Sequence, residues 1–469
     1  MPQEFHDYYT PPSYSRRDVK RAGWLLFLIG LGSLTQIKIG FSIGISEIFV
    51  YLVAPFLFIR NATLLRRDGM MPLLLLGALV NVMNVVAGAF NHIPTYFYFK
   101  GFATTYPLLA FPVVLHHLLT KNPMGHRWLL LGVALSNVVN VFMFQTSFET
   151  VTYVQGTSGG DAVSAIMASP IFWIDRLSNF IRLPAAGWFW ETPLAYTCLA
   201  PLGLAAFSML TTVSGRSAAL GALGSVFIAV FCGKSRVRMR RFGRNIWGFV
   251  VVAVIGIVIL HATYRYAAMN GILGERAQTK YERQSGGGGI LKLLMGGRGE
   301  FFIGFLEALN KPWIGHGPWA LDNGEATMNF LVKYGNVEDY ENALASRRYA
   351  ETYGQSTLGY IPAHSHIASF FLWFGVVGLI YWLYVLYAMF RYLHKEMASA
   401  PHWFGVLALA MPSFLWTLFF SGFGYRIVTM PYVVMLFMSH AYYTGAKQLP
   451  LSIEMSIRAK EKGRSVLRF

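Results

Sequence analysis

The stretch Ile361–Leu379, IPAHSHIASFFLWFGVVGL, decides how this chain is read. Its histidines, His364 and His366, stand where the polar segment 264–362 ends and an apolar run of membrane-spanning length begins. Imidazole titrates nearest neutrality of all side chains, so a pair at this border marks where proton chemistry can meet a bilayer surface.

Outward from this stretch, further apolar runs recur at 22–36, 43–60, 70–91, 97–118 and 127–145, then at 191–213, 216–232 and 245–263. Beyond the polar segment they resume at 366–390, 403–420 and 427–445. Only 13% of the residues are charged, about half the share of a soluble protein. The chain is therefore expected to be an all-α, polytopic helical membrane protein. The N-terminal residues show no cleavable-signal pattern, so the first run is expected to be retained as a span.

The net charge of +17 lies mostly in short connections: Arg16, Arg17, Lys20 and Arg21; Arg60, Arg66 and Arg67; and a dense cluster from Lys234 to Arg244. That distribution is the signature of cytoplasmic loops rather than of a nucleic-acid surface. Working backwards from the basic tail, the loop at Arg391–Lys395 and the cluster at Lys234–Arg244 fall inside and segment 264–362 falls outside. Counting forwards from a cytoplasmic N-terminus puts Lys234–Arg244 outside, so one crossing is missing. The gap falls between 146 and 213, where AVSAIMASPIFWI (162–174) is apolar but short for a full span, and filling it puts Arg216 on the outer face. The expected layout has about twelve spans. A cytoplasmic segment 1–21 precedes membrane helices over 22–263, and a large periplasmic loop with short helices covers 264–362. Membrane helices return over 363–446, before a cytoplasmic basic tail, 447–469.

The residues able to do chemistry gather at the outer face. In the long loop, Phe302, Phe305, Leu306 and Leu309 recur at helical spacing, which predicts a short amphipathic helix over 300–309 with Arg298 near its N-terminal end. An arginine there adds to an anion-attracting site, or pairs with Glu300 or lipid. PWIGHGP (312–318) reads as a tight turn around His316. Arg216 sits among small residues between two apolar runs, either snorkelling to the interface or serving as a second cation for an anionic headgroup. His364 and His366 are either polar caps or, for one of them, a general base. Arg182 lies in an aromatic stretch with Trp173, Trp188 and Trp190. His316, His364 and His366 lack the cysteine or carboxylate that would complete a metal site. Neither a nucleophile elbow nor a nucleotide-binding fingerprint occurs, so an ATP-driven pump is not expected.

In order, these motifs resemble the O-antigen ligase and O-antigen polymerase superfamily of bacterial inner-membrane glycosyltransferases. The resemblance rests on Arg298, then Pro312, Gly315 and Gly317, then His364 with Gly375 and Gly378 eleven and fourteen residues on. Ser214-Gly215-Arg216-Ser217-Ala218 matches an upstream element, with a glycine inserted before the arginine. Ala368 and Phe302 depart from the usual leucine and tryptophan. The resemblance implies a metal-independent, inverting transfer at the periplasmic face that needs no cofactor. The donor would be a glycan on undecaprenyl pyrophosphate and the acceptor a sugar hydroxyl or a lipid-linked glycan, with a chain-length regulator as an optional partner. It selects His364, Arg298 and Arg216 as catalytic residues; His316, His366 and Arg182 are candidates for substrate contact. The competing expectation is a polysaccharide or lipid-linked oligosaccharide transporter or flippase, for which polar residues would line a path through the spans.

Overall fold

The computed structural model describes residues 14–144 except 34, 35 and 40, and 262–271 except 264, with 278, 281 and 282. It continues with 299–334 except 321, 323 and 324, then 361, 363 and 365–396, and finally 407, 411, 414–420 and 429–438. The described part is mostly helical, and four of its stretches are long and apolar enough to cross a membrane.

The first helix, α1 (Arg16–Leu31), begins at Ser15, whose hydroxyl accepts the Asp18 N–H at 3.2 Å and donates to the Asp18 carboxylate at 2.7 Å. It ends earlier than the apolar run suggests. Gln36–Ile39 (β1) and Phe41–Gly44 (β2) form an antiparallel hairpin with Gln36 opposite Gly44. Gly44 then opens α2 (Ile45–Arg67), its N–H held by the buried Glu47 carboxylate at 3.0 Å. Large side chains such as Leu52, Phe56 and Ile59 are exposed along α2, and Leu75, Val82 and Phe90 along α3 (Met71–Phe90). Apolar faces of this extent are stable against lipid rather than water.

Polar side chains tie the spans together where lipid supplies no partners. The buried Asn81 of α3 donates to the Thr105 carbonyl at 3.1 Å and accepts the Thr105 hydroxyl at 2.8 Å. Pro107 has no N–H and breaks the 97–118 run into α4 (Thr95–Thr105) and α5 (Pro107–Lys121). The Ala103 carbonyl, whose helical donor Pro107 removes, accepts the Tyr51 hydroxyl of α2 at 3.0 Å instead. At the end of α2, the buried Asp68 accepts from Arg67 Nε and from His116 Nε2 of α5, each at 2.9 Å. Burial raises the Asp68 pKa, but these bonds outweigh it and hold the carboxyl below its ordinary range.

Helix α6 (His126–Phe144) crosses α1 backbone against backbone. A Cβ on Gly30 would stand 2.3 Å from the Leu129 carbonyl oxygen, and one on Gly132 would stand 2.2 Å from that of Phe27. Trp24 and Trp128 stack beside this crossing at 6.0 Å.

Three helices of the C-terminal half concern the site: α7 (Gly299–Ala308), α8 (Glu325–Tyr334) and α9 (His366–Glu396). The last is not one rod. Gly375 adopts φ 61°, ψ −152°, and the chain doubles back there. The His366 and Trp382 rings lie 4.8 Å apart, where a straight helix would separate their backbones by roughly 24 Å. Phe370 likewise meets Trp382 at 5.5 Å. The expected single span over 366–390 is therefore a first arm, His366–Phe374, buried throughout and folded against a second arm. The second arm, Val376–Glu396, by itself has about the 20 residues a bilayer core requires.

Substituting Gly132 tests the α1–α6 crossing. Gly132→Leu must push the helices apart and should cost about 1–3 kcal/mol, read as a lowered unfolding temperature in detergent. An unchanged unfolding temperature would show that the two backbones do not touch there.

Candidate functional site

The reversal at Gly375 frees backbone groups that an unbroken helix would pair internally, and the loop 312–318 takes them. His316 N–H donates to the Leu372 carbonyl at 2.7 Å, Gly317 N–H to that of Trp373 at 3.0 Å, and Val376 N–H to that of Pro312 at 2.7 Å. Gly315 and Gly317 have φ of 81° and 85°, which L side chains rarely adopt. The fit leaves no room for a Cβ. One on Gly375 would stand 2.4 Å from the Trp313 carbonyl oxygen, and one on Gly315 would stand 2.5 Å from that of Trp373. On Gly378, where the two arms meet, a Cβ would come within 2.2 Å of the Phe370 oxygen. Pro312, Gly315, Gly317, Gly375 and Gly378 are thus parts of one interlocked turn.

The C-terminal end of α3 closes the other side of that turn. Asn91 Nδ2 donates to the Gly315 carbonyl at 3.0 Å, and Lys311 Nζ donates to Asn91 Oδ1 at 2.6 Å. The His316 side chain fastens α7: its Nε2–H donates to the Glu307 carbonyl at 3.0 Å. Burial lowers the His316 pKa below the ordinary imidazole range, with the Glu307 bond opposing only part of the shift, so the ring is neutral near pH 7. Phe305 of α7 meets Phe371 of the first arm at 5.3 Å.

The start of α9 is pinned as firmly. Ser365 caps it, its hydroxyl accepting the Ala368 N–H at 3.1 Å and donating to the Leu418 carbonyl at 2.8 Å. His366 is fully buried, its Nδ1–H donating to the Thr417 carbonyl at 2.9 Å. Both acceptors belong to the helical segment 414–420. Upstream, Ile361 N–H donates to the Ala320 carbonyl at 3.0 Å, and the Ala363 carbonyl accepts the Ser365 N–H at 2.7 Å.

Of the residues singled out in the sequence, His366 is held at the start of the first arm and His316 against its end. His364, Arg298, Arg216 and Arg182 lie outside the described residues. The neighbours of two of them are described. Gly299, which follows Arg298, opens α7 against the Phe330 ring of α8, 3.3 Å from where its Cβ would be. Ala363 and Ser365, which flank His364, are buried. Among the described residues, no three His, Cys, Asp or Glu side chains cluster as a metal site requires.

The sequence reading passed over Lys100 and Trp319. The Lys100 ammonium stands 3.6 Å above the Trp319 ring, and Trp319 lies 5.0 Å from Trp373. A lysine inside the apolar run 97–118 was the available signal, since a charge in such a run marks function more often than chance. No family model and no curated protein matches this chain.

The interlock makes a graded prediction. Gly69 has φ 70° with nothing within 4 Å of its Cβ position, so Gly69→Ala reports backbone strain alone. Gly375→Ala adds the collision with Trp313 and should cost at least about 2 kcal/mol more, measured by thermal unfolding in one detergent. Equal losses would mean that the turn does not seat in the reversal.

Proposed function

We propose that this chain is a membrane glycosyltransferase of the O-antigen ligase or polymerase type, with about twelve spans and segment 264–362 facing the periplasm from the bacterial inner membrane. The reading starts from the ordered motifs. Its strongest support is that the Pro312–Pro318 turn fastens both α7, which follows Arg298, and the first arm of α9, which follows His364. Helix α7 is held through His316 Nε2, and the first arm through the Leu372 and Trp373 carbonyls, while Ile361 is held just beyond the turn by the Ala320 carbonyl. Catalytic groups far apart in sequence need such a rigid frame to hold a reactive geometry.

The chemistry follows from the residue types. The acceptor hydroxyl gives its proton to the neutral His364 imidazole as its oxygen attacks the anomeric carbon of the donor. The bond from that carbon to the pyrophosphate oxygen breaks on the opposite face, so configuration inverts. Undecaprenyl pyrophosphate departs with the bonding pair, and Arg298 and Arg216 stabilise the developing charge. The energy resides in the linkage that breaks, so no nucleotide is consumed and no metal is called on.

The assay is direct. Purified protein is given undecaprenyl-pyrophosphate oligosaccharide, with and without lipid A core, and products are sized by mass spectrometry. Wild type should form new glycosidic bonds, and His364→Ala should lose at least about 100-fold in rate. A ladder without core identifies a polymerase, and transfer only with core identifies a ligase. Full activity in His364→Ala would remove the histidine from the mechanism, and the absence of any new bond in wild type would reject the transferase reading.

A further inference from the structure

Two residues beside the interlocked turn are held in an unusual arrangement. Trp319 has φ 57°, and the only other non-glycine residue with positive φ among those described is His92, next to Asn91. A left-handed tryptophan costs about 1–2 kcal/mol, and backbone strain of this kind persists where the surroundings enforce it, often at binding sites. Here it holds the indole both 5.0 Å from the Trp373 ring and against the Lys100 ammonium.

Lys100 is fixed from its own side as well. It lies within Thr95–Lys121, a stretch apolar enough to cross a membrane, where a charge is costly and usually functional. The next residue, Gly101, brings α4 against the turn and α3. A Cβ there would stand 2.6 Å from the Pro318 Cβ and 2.1 Å from Asn84 Oδ1. The ammonium therefore has a defined position at the end of the turn. One residue beyond Trp319, the Ala320 carbonyl holds Ile361, three residues ahead of His364. A second lysine, Lys311, is fixed at the other end of the turn through Asn91. The turn is bracketed by two positive charges, and the segment carrying the candidate base leaves from the Lys100 end.

We propose that Lys100, seated on Trp319, binds the phosphate of the lipid-linked donor. The proposal rests on the transferase reading and adds a residue and a ligand group to it. An ammonium on an aromatic face is compact and oriented, which suits a phosphate arriving from the membrane side. The Trp319 strain then serves a binding role, keeping the cation at one height over the indole.

Binding of undecaprenyl pyrophosphate, without any glycan, tests this in phosphatidylcholine nanodiscs, with and without phosphatidylglycerol. Wild type is compared with Lys100→Met, Lys100→Gln and Lys100→Arg, each checked for a wild-type elution profile. Lys100→Met and Lys100→Gln should weaken binding about tenfold or more and flatten its dependence on salt, while Lys100→Arg should restore most of it. Phosphatidylglycerol should not compete. If wild type binds and Lys100→Met and Lys100→Gln bind as tightly, Lys100 is no ligand and the transferase reading stands. If phosphatidylglycerol displaces the pyrophosphate from wild type but not from Lys100→Met, the lysine serves bulk anionic lipid, against the proposal. If wild type binds no undecaprenyl pyrophosphate, this inference and the transferase reading fail together.

Discussion

Three backbone hydrogen bonds between the 312–318 turn and the reversal at Gly375 hold the C-terminal half of this protein in its described form. A backbone that breaks inside an apolar stretch leaves N–H and C=O groups unpaired, each worth several kcal/mol to satisfy where water is scarce. The turn meets that demand because Gly315, Gly317 and Gly375 let two backbones approach without side chains between them. Other features follow from that contact. The first arm of α9 folds against the second, His316 reaches the end of α7, and Asn91 locks α3 onto the turn.

The same logic runs through the helical layer around the turn. Pro107 leaves the Ala103 carbonyl without a helical donor, and the Tyr51 hydroxyl replaces it; the Thr417 and Leu418 carbonyls find His366 and Ser365. The breaks at Pro107 and Gly375 are each met by groups from another element, so these irregular points are also long-range joints. Roughly 30 Å away along α3, Asp68 joins α2 to α5 by the same device, with a carboxylate in place of a peptide group. A scaffold stapled this way can hold groups from distant parts of the sequence at fixed spacing, which transfer chemistry requires.

How much of this was legible in the sequence depends on the range of the interaction. Runs at 70–91 and 127–145 match helices Met71–Phe90 and His126–Phe144, because apolar length and Pro or Gly boundaries are local signals. The hairpin at Gln36–Gly44 was hidden: its alternation of Ile37, Ile39, Phe41 and Ile43 is brief and sits between two apolar runs. In the sequence, Gly375 and Gly378 are visible only as glycines at fixed spacing from His364. Their described role is a reversal whose partner lies some sixty residues upstream, which no window along the chain reveals. Of the candidate site, the order of the motifs was visible, while the Lys100–Trp319 contact was not, since it joins an early helix to a late loop.

The central claim is that the turn is seated in the reversal, and amide hydrogen exchange tests it most directly. In detergent-solubilised wild-type protein, peptides containing the His316 and Gly317 amides should exchange as slowly as those from the helical arms, because both donate to α9 carbonyls. Exchange at the rate of an open polar loop would contradict the account.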